Sequence, residues 1–277
     1  MVNIAVNGAC GRMGMRVVQL ALEDPQCRVV CASERPDHPS LGKDIGTLAG
    51  KEPIGVALAS SLFAPRRKKS GVTGNPVVLI DFSEPKSSLA RAGEAVKAGA
   101  ALLIGTTGFT PEQKKEIQKI ARRTACIVSP NMSVGVNLLV SLVGKVAKAL
   151  GEEYDVEIVE AHHRFKKDAP SGTALRLAEK IAEATGRSLA KDAVYGRQGV
   201  VGERKQNEIG VLAIRAGDIV GDHTVMFTCL GERIEIIHRA HTRDAFARGA
   251  LRAAKFLAGK PPGMYGIAEA LGLDTVG

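Results

Sequence analysis

The stretch MVNIAVNGACGRMG, residues 1–14, joins a short apolar run directly to three glycines. Residues 1–6 predict a buried strand, and the apolar spacing after Gly14 predicts a helix. The glycines follow a Gly-x-x-Gly-x-x-Gly spacing instead of the usual Gly-x-Gly-x-x-Gly of dinucleotide folds. Strand, glycine turn and helix in this order nevertheless favour a nucleotide-binding βα unit, in which the free amides at the start of a helix hold a diphosphate.

A second apolar strand, predicted over Arg28–Ala32, leads to Glu34. An acidic residue about 20 positions after the last glycine accepts hydrogen bonds from the adenosine ribose hydroxyls in such folds. Arg35 follows at once and can pair with a 2′-phosphate. The Glu34–Arg35 doublet therefore predicts that NADH and NADPH are both accepted as cofactors.

Three further strands are predicted at Val77–Phe82, Ala100–Ile104 and Ala125–Val128, with helices at Glu84–Lys97 and Pro111–Arg123 between them. Alternating strands and helices predict a parallel, doubly wound sheet of the Rossmann type. Two polar turns come directly after strands, at the carboxyl ends where such sheets bind ligands. Their residues are predicted to contact the cofactor: Gly105, Thr106, Thr107, Gly108, Ser129, Pro130, Asn131 and Met132.

The pattern changes after Asn131. A helix at Val136–Leu150 is followed by strand candidates at Glu208–Arg215, Asp222–Leu230 and Arg233–Ala240. Neighbouring strands of this kind predict a mixed or antiparallel sheet, with a hairpin connected at Gly231–Glu232. A closing helix is predicted at Arg243–Leu257, so the fold class is α/β with a second, α+β domain.

Residues 157–175, EIVEAHHRFKKDAPSGTAL, carry the densest set of proton carriers and anion ligands. Strand alternation places Glu160 and His162 on one face and His163 on the other. Helical spacing from Ala174 onward places Ser171, Gly172 and Thr173 at a helix N-terminus, where amides attract a carboxylate or phosphate. Arg164, Lys166 and Lys167 are predicted to lie beside that anion site.

Each of these residues also has a structural interpretation. Ser171 next to Gly172 is typical of a helix cap, and it lacks the Gly-x-Ser-x-Gly elbow of a serine nucleophile. A metal site formed by Glu160, His162 and His163 is disfavoured because adjacent strand residues diverge, and we predict no metal.

Composition agrees with an enzyme. The chain has 277 residues, a formal charge of +9, five cysteines and 4% aromatic residues. Few aromatics, and a basic run confined to a predicted surface loop at residues 66–69, argue against nucleic-acid binding. No segment is apolar enough to span a membrane. A strand that begins at the first residues leaves no room for a signal peptide, and unpaired cysteines favour a cytoplasmic location.

Taken together, residues 160–174, the glycine turn, residues 105–108, 131–137 and 215–221 closely resemble the 4-hydroxy-tetrahydrodipicolinate (dihydrodipicolinate) reductase family over nearly the whole chain. The resemblance implies reduction of a cyclic imine dianion in diaminopimelate and lysine biosynthesis. It also implies a homotetramer, a dinucleotide-binding domain over residues 1–132 and 243–277, and a substrate-binding and oligomerisation domain over residues 133–242.

The same resemblance implies roles for individual residues. His162 would be a proton donor or acceptor and Lys166 a second proton donor. Arg243 is a candidate anion contact, and Phe165 departs from the pattern because many relatives carry a histidine there. Substrate contacts would come from His163, Ser171, Gly172 and Thr173, and cofactor contacts from Gly8, Ala9, Cys10, Gly11, Arg12, Met13, Glu34, Arg35, Gly105, Thr106, Thr107, Ser129, Pro130, Asn131 and Met132.

Two other functions remain open from the residues. A sensor could use the same fold to bind NAD(P)H without turnover, although it would need no proton donor. The other alternative is a dehydrogenase of the aspartate-semialdehyde or homoserine type. The aspartate-semialdehyde type would need a nucleophilic cysteine in its second domain. Cys229 lies inside a predicted strand with no evident base nearby in sequence.

Overall fold

The computed structural model describes residues 1–62 and 76–273. The chain forms two compact units, one of Met1–Ser133 with Asp244–Gly272 and another that contains Val134–Arg243. The predicted surface loop at residues 66–69 lies outside the described residues. Every described helix is too short or too polar to cross a bilayer.

The first unit alternates strands and helices. Its elements up to Ser133 are β1 (Val2–Asn7), α1 (Arg12–Glu23), β2 (Cys27–Ser33), α2 (Ile45–Leu48), β3 (Leu58–Ala59), β4 (Val77–Asp81), α3 (Pro85–Lys97), β5 (Ala101–Ile104), α4 (Pro111–Ala121) and β6 (Ala125–Val128). The long elements match their predictions to within about two residues. Elements α2 and β3 were not predicted, because segments of two to four residues carry no measurable periodicity.

The second unit contains α5 (Val134–Leu150), β7 (Asp155–His162), α6 (Gly172–Thr185), α7 (Leu189–Asp192), β8 (Ala193–Val194), β9 (Ile209–Arg215), β10 (Gly221–Cys229) and β11 (Glu232–Ala240). The chain then returns to the first unit with α8 (Asp244–Leu257), β12 (Gly263–Met264) and α9 (Ile267–Ala270). The second unit is therefore an insertion in the chain of the first.

The sheet of the first unit has the strand order β12-β6-β5-β4-β1-β2-β3. Its described strand pairs are all parallel, which confirms the doubly wound fold. Strand order reverses between β1 and β4, and ligands bind in such sheets at this switch point, beyond the carboxyl ends of the strands. All six residues of β1 are buried, as expected for a strand covered on both faces.

The sheet of the second unit is mixed, with the order β11-β10-β7-β9-β8. The three C-terminal strands were expected to be neighbours, but β7 lies between β9 and β10. Strands β7 and β9 pair in parallel, which requires a long crossover, and residues 163–208 provide it. The hairpin turn is Leu230–Gly231 and not Gly231–Glu232, because Cys229 pairs directly with Glu232.

One face of the mixed sheet packs against α5 and α6. Its buried core includes Val156, Ile158, Val225 and Phe227, each at most 2% exposed. Side chains on the opposite face are only partly covered or are exposed, including Val159, Met226, Ile214 and Ile237. The amphipathic alternation of β10 fits a sheet that is covered on one face within the chain.

Candidate active site

The glycine turn brings the end of β1 against the start of α1 with no side chain between them. Gly8 has a positive φ of 66°. A Cβ atom at Gly14 would lie 2.0 Å from the carbonyl oxygen of Gly8, so only glycine fits there. Gly11 precedes α1, and no side chain caps this helix. Its first amides can therefore bind an anion, and this geometry fits the diphosphate of a dinucleotide.

Glu34 lies beside this turn, as its position after β2 predicts. Its Oε2 accepts a hydrogen bond of 3.1 Å from the backbone N–H of Cys10. Burial, and then the charge of Glu34, raise the pKa of the Cys10 thiol, which keeps it protonated at neutral pH. Arg35 is exposed, with Nε 3.5 Å from Asp37 Oδ1. The acidic and basic side chains predicted to read the adenosine ribose thus follow β2 at the same sheet edge.

A buried polar network supports the turns after β4 and β5. Asn7 Nδ2 donates to Asp81 Oδ1 at 3.2 Å, and Ser33 Oγ donates to Asn7 Oδ1 at 2.8 Å. Ser88 Oγ donates to Thr106 Oγ1 at 2.8 Å. Thr106 is buried, whereas Thr107 next to it is exposed and available to a ligand.

The turn after β6 is held by its own hydrogen bonds and by α8. Ser129 Oγ donates to the carbonyl of Asn131 at 2.8 Å, and Asn131 Oδ1 accepts from the N–H of Ser133 at 2.9 Å. A Cβ atom at Gly249 of α8 would lie only 1.8 Å from the carbonyl oxygen of Met132. Helix α8 therefore approaches this turn closely because residue 249 is a glycine.

Glu160 is the centre of the second unit's polar cluster. Its carboxylate is fully buried and accepts hydrogen bonds from Arg215 NH1 and NH2, both at 2.8 Å, and from the N–H of Ser171 at 2.9 Å. His162 Nδ1 lies 2.6 Å from Glu160 Oε2. Burial alone would raise the pKa of Glu160, but the hydrogen bonds from Arg215 and His162 lower it below its usual value. The carboxylate is therefore charged.

These contacts fix the orientation of His162. An ionised Glu160 can only accept, so Nδ1 of His162 carries the proton that it donates. Burial is the largest influence on the pKa of His162 and lowers it, whereas the hydrogen bond and charge of Glu160 raise it. The charges of Lys166 and Arg215 lower it further, and the pKa lies below its usual value. The ring is therefore neutral at neutral pH, with Nε2 as its unprotonated nitrogen. A Cβ atom at Gly221 would lie 3.1 Å from Nε2, so this glycine leaves space beside that atom.

The loop after β7 carries the remaining predicted side chains. Strand β7 ends at His162, so His163 does not lie on the opposite strand face as expected. It begins a turn, because its carbonyl accepts from the N–H of Lys166 at 3.1 Å. Lys166 Nζ lies 2.9 Å from Asp168 Oδ1, and Arg215 NH2 donates to the carbonyl of Asp168 at 2.6 Å. Arg215 thus connects this loop to Glu160.

Helix α6 begins as the sequence predicts. Ser171 is the N-cap, and its Oγ accepts from the N–H of Ala174 at 3.2 Å. Gly172 is exposed and Thr173 half-buried in the first turn. Arg243 lies at the end of the second unit, directly before α8.

Sequence reasoning did not identify Arg215 or His223 as parts of the site. His223 is 3% exposed, and its Nε2 lies 3.1 Å from Ser171 Oγ. Its ring packs edge-on against His162, with centroids 5.3 Å apart. A signal was present for His223, because strand alternation places it on the same face as the apolar Val225 and Phe227. The partner of Arg215 could not be found without the pairing of β9 with β7.

A doubly wound sheet with a glycine turn at its switch point, and a second unit with an oriented acid–histidine pair, together define a nicotinamide-dependent oxidoreductase. Family models agree on a narrower class. The dihydrodipicolinate reductase N-terminus model matches residues 2–132, and the C-terminus model matches residues 135–271. The chain belongs to the dihydrodipicolinate reductase family.

Curated relatives match the chain over nearly its full length. It is 50% identical over 273 residues to the 4-hydroxy-tetrahydrodipicolinate reductase of Anaeromyxobacter dehalogenans strain 2CP-1, covering 99% of this chain and 98% of the relative. It is 48% identical over 273 residues to the reductase of the same name from Syntrophobacter fumaroxidans, covering 99% and 100%.

A solved structure supports the fold independently. The dipicolinate-bound dihydrodipicolinate reductase from Paenisporosarcina sp. TG-14 aligns with a TM-score of 0.69 at 24% identity, covering 97% of this chain and 98% of that one. At this identity the likeness concerns the fold.

Proposed function

We propose that this chain catalyses the NAD(P)H-dependent reduction of 4-hydroxy-tetrahydrodipicolinate to tetrahydrodipicolinate, with loss of water, in diaminopimelate and lysine biosynthesis. The observation that carries the proposal is the buried Glu160, which fixes one tautomer of His162 and is connected by Arg215 to the loop of Lys166. A site that only senses a nucleotide needs no such oriented proton carrier. Relatives of this name match 99% of the chain.

The cofactor is assigned to a dinucleotide-binding domain of residues 1–132 and 243–277, to which the first unit corresponds apart from residues at its boundaries. The backbone from Gly8 to Met13 holds the diphosphate, and Glu34 binds the ribose hydroxyls. Arg35 pairs with the 2′-phosphate of NADPH, so both NADH and NADPH are accepted. The turns Gly105–Thr107 and Ser129–Met132 complete the site at the same sheet edge. When bound, the cofactor supplies a hydride from its nicotinamide ring.

The second unit supplies the protons. Loss of the 4-hydroxyl group as water requires a proton on the leaving oxygen, and reduction of the resulting conjugated system adds one hydride and one proton. His162 exchanges a proton at Nε2, because Nδ1–H is held by Glu160. The Lys166 ammonium is the second proton donor. Positioned proton donors of this kind accelerate reactions by about 100- to 10,000-fold.

Substrate binding is assigned to the domain of residues 133–242, together with Arg243. The substrate carries two carboxylates, and the first turn of α6 offers the amides of Gly172 and Thr173 to one of them. Ser171 shapes this turn as its cap. His163 and Arg243 contribute further polar and positive groups that hold a dianion.

The same domain is assigned to assembly into a homotetramer in the cytoplasm. Met226, Ile214 and Ile237 lie on the face of the mixed sheet that the described residues leave partly or fully exposed, and a neighbouring subunit would bury it. The five cysteines are free thiols, as in a reducing compartment. Light scattering at micromolar concentration should return a tetramer, and a monomer would contradict this assignment.

The activity is tested with substrate generated freshly from pyruvate and aspartate semialdehyde. Oxidation of NADPH and of NADH is followed by absorbance, with omission of the aldehyde as the control. We expect oxidation with both cofactors only when substrate is present. Binding of NADPH without any oxidation would instead support a sensor, and would overturn the proposed function.

A further inference from the structure

His223 connects the two functional parts of the second unit. It lies on β10, directly opposite Glu160 in the pairing with β7. One neighbour of its ring is the hydroxyl of Ser171, at 3.1 Å, and another is the ring of His162, at an interplanar angle of 79°. Ser171 caps the helix that is proposed to hold a substrate carboxylate, and His162 is the proposed proton carrier.

The hydrogen-bond partners of Ser171 determine the tautomer of His223. Ser171 Oγ already accepts from the N–H of Ala174, so its own O–H needs an acceptor. Nε2 of His223 supplies one if it is unprotonated. The opposite tautomer would leave the Ser171 hydroxyl hydrogen without an acceptor. Nδ1 of His223 has no partner among the described residues in either tautomer, so the contact with Ser171 decides between the two.

The charge state agrees with this assignment. Burial, and then the neighbouring His162 and His238, lower the pKa of His223 to about 3. The ring is therefore neutral at neutral pH, and the contact with the Ser171 hydroxyl assigns its proton to Nδ1. It can accept from Ser171 and, being uncharged, does not repel a protonated His162 during turnover.

We propose that His223 is a positioning residue for the reaction. Its imidazole accepts a hydrogen bond from the Ser171 hydroxyl and so holds the first turn of α6 in place. Its edge-on contact also restricts the orientation of the His162 ring. This inference rests on the proposed function. A leucine at position 223 could fill the same volume, but it would leave the buried Ser171 hydroxyl without an acceptor. Ser171, the N-cap of α6, would then shift to find another partner. Substrate affinity, more than cofactor affinity, depends on this contact.

The first experiment measures substrate-side affinity. Pyridine-2,6-dicarboxylate (dipicolinate), a planar dicarboxylate, serves as the probe in calorimetric titrations of the full-length protein. His223→Leu and Ser171→Ala should each weaken its binding, and raise KM, by about tenfold. His223→Gln should restore most of the loss, because its amide oxygen can accept the same hydrogen bond. The affinity for NADPH should not change in any variant.

The double variant separates positioning from general support of the fold. If the two residues act through one hydrogen bond, His223→Leu with Ser171→Ala should be no weaker than the weaker single variant. Additive losses would overturn the inference. A second outcome would also overturn the inference: a His223→Leu protein that melts at a lower temperature but binds dipicolinate as tightly as the wild type. The role of His223 would then be only structural.

Nitrogen-15 NMR of the histidine rings in the ligand-free wild type tests the tautomer without activity. A neutral His223 protonated at Nδ1 is expected at neutral pH, and protonation at Nε2 would overturn the inference. If the wild type neither binds dipicolinate nor reduces the substrate, the proposed function fails. The NMR result then still decides whether Ser171 donates to His223.

Discussion

The two units form their sites from different chemical groups, backbone amides in the first and ionisable side chains in the second. In the first unit the glycine turn presents backbone amides, and Gly14 is required because a side chain would overlap the carbonyl of Gly8. In the second unit the centre of the site is a cluster of ionisable side chains, with Glu160 fully buried and held by Arg215 and His162. A backbone site binds whatever anion fits its shape, whereas a side-chain site can also exchange protons.

The difference also predicts how each site fails. If the buried Glu160 carboxylate loses its charge, Arg215 loses its anion, and the loss is costly because Glu160 is fully buried although Arg215 is 20% exposed. A side chain at the edge of a backbone turn, such as the half-buried Glu34 or the exposed Arg35, can be removed with less effect on the fold. Substitutions in the second unit's site should therefore change stability and proton transfer. Substitutions beside the glycine turn of the first unit should change cofactor selectivity.

The largest effect is expected for Glu160→Gln. An amide can accept at only one atom, and its NH₂ group would face the donors Arg215 and Ser171. We expect the free energy of unfolding to fall by about 3–5 kcal/mol, the scale for breaking a buried ion pair. Urea unfolding followed by circular dichroism measures it. The matched control is Glu183→Gln, an exposed pair with Lys180, which should cost less than about 1 kcal/mol.

Lys166→Ala tests whether the second unit's site does more than bind. Turnover should fall by about 100-fold or more, the usual scale for loss of a general acid. His163→Ala should act chiefly on KM, because it removes binding that is common to the ground and transition states. The exposed Lys148 in the last turn of α5 supplies the control, and Lys148→Ala should change neither constant by much. If Lys166→Ala keeps near-normal turnover at saturating substrate, Lys166 is not a proton donor, and His162 alone supplies the proton.

Acid should destabilise the second unit through His223. Burial, and then His162 and His238, lower its pKa from 6.5 to about 3, while Glu160 raises it and Lys166 lowers it slightly. Between these two values the unfolded chain binds a proton that the folded chain does not, so stability is lost as the pH falls below about 6.5. From about pH 7 to about pH 5 the wild type should lose about 2 kcal/mol more than His223→Gln. Equal losses in urea titrations would show that His223 is charged in the folded state.

The smallest effects are expected beside the glycine turn. Glu34→Ala should weaken NADH more than NADPH, and Arg35→Ala should do the reverse, each by about tenfold. Neither variant should change the unfolding free energy by much, and the exposed Glu52 provides a control for loss of charge. Dissociation constants of both cofactors for each variant measure the effect. Equal losses for both cofactors would mean that neither residue reads the 2′ position.

Much of this arrangement could be predicted from the sequence, for local reasons. The glycine turn, the parallel strands and the start of α6 follow from periodicity and from residues that are close in the chain. The strand order of the mixed sheet could not be predicted in this way, because β7 pairs with β9 across more than 40 residues. Arg215 and His223 were missed for the same reason: their partners Glu160 and Ser171 are adjacent only once β7, β9 and β10 are paired.

The close approach of α8 to the turn at Met132 has a consequence for synthesis on the ribosome. Gly249 and the other six buried residues of α8 belong to the first unit, but roughly 110 residues of the second unit are translated before them. At about 5–20 residues per second, the parallel sheet waits several seconds for its covering helix. During that interval the nascent sheet exposes the apolar surface that α8 later buries. Chaperone dependence in vivo should therefore be concentrated in the unit that begins the chain, because it is completed last.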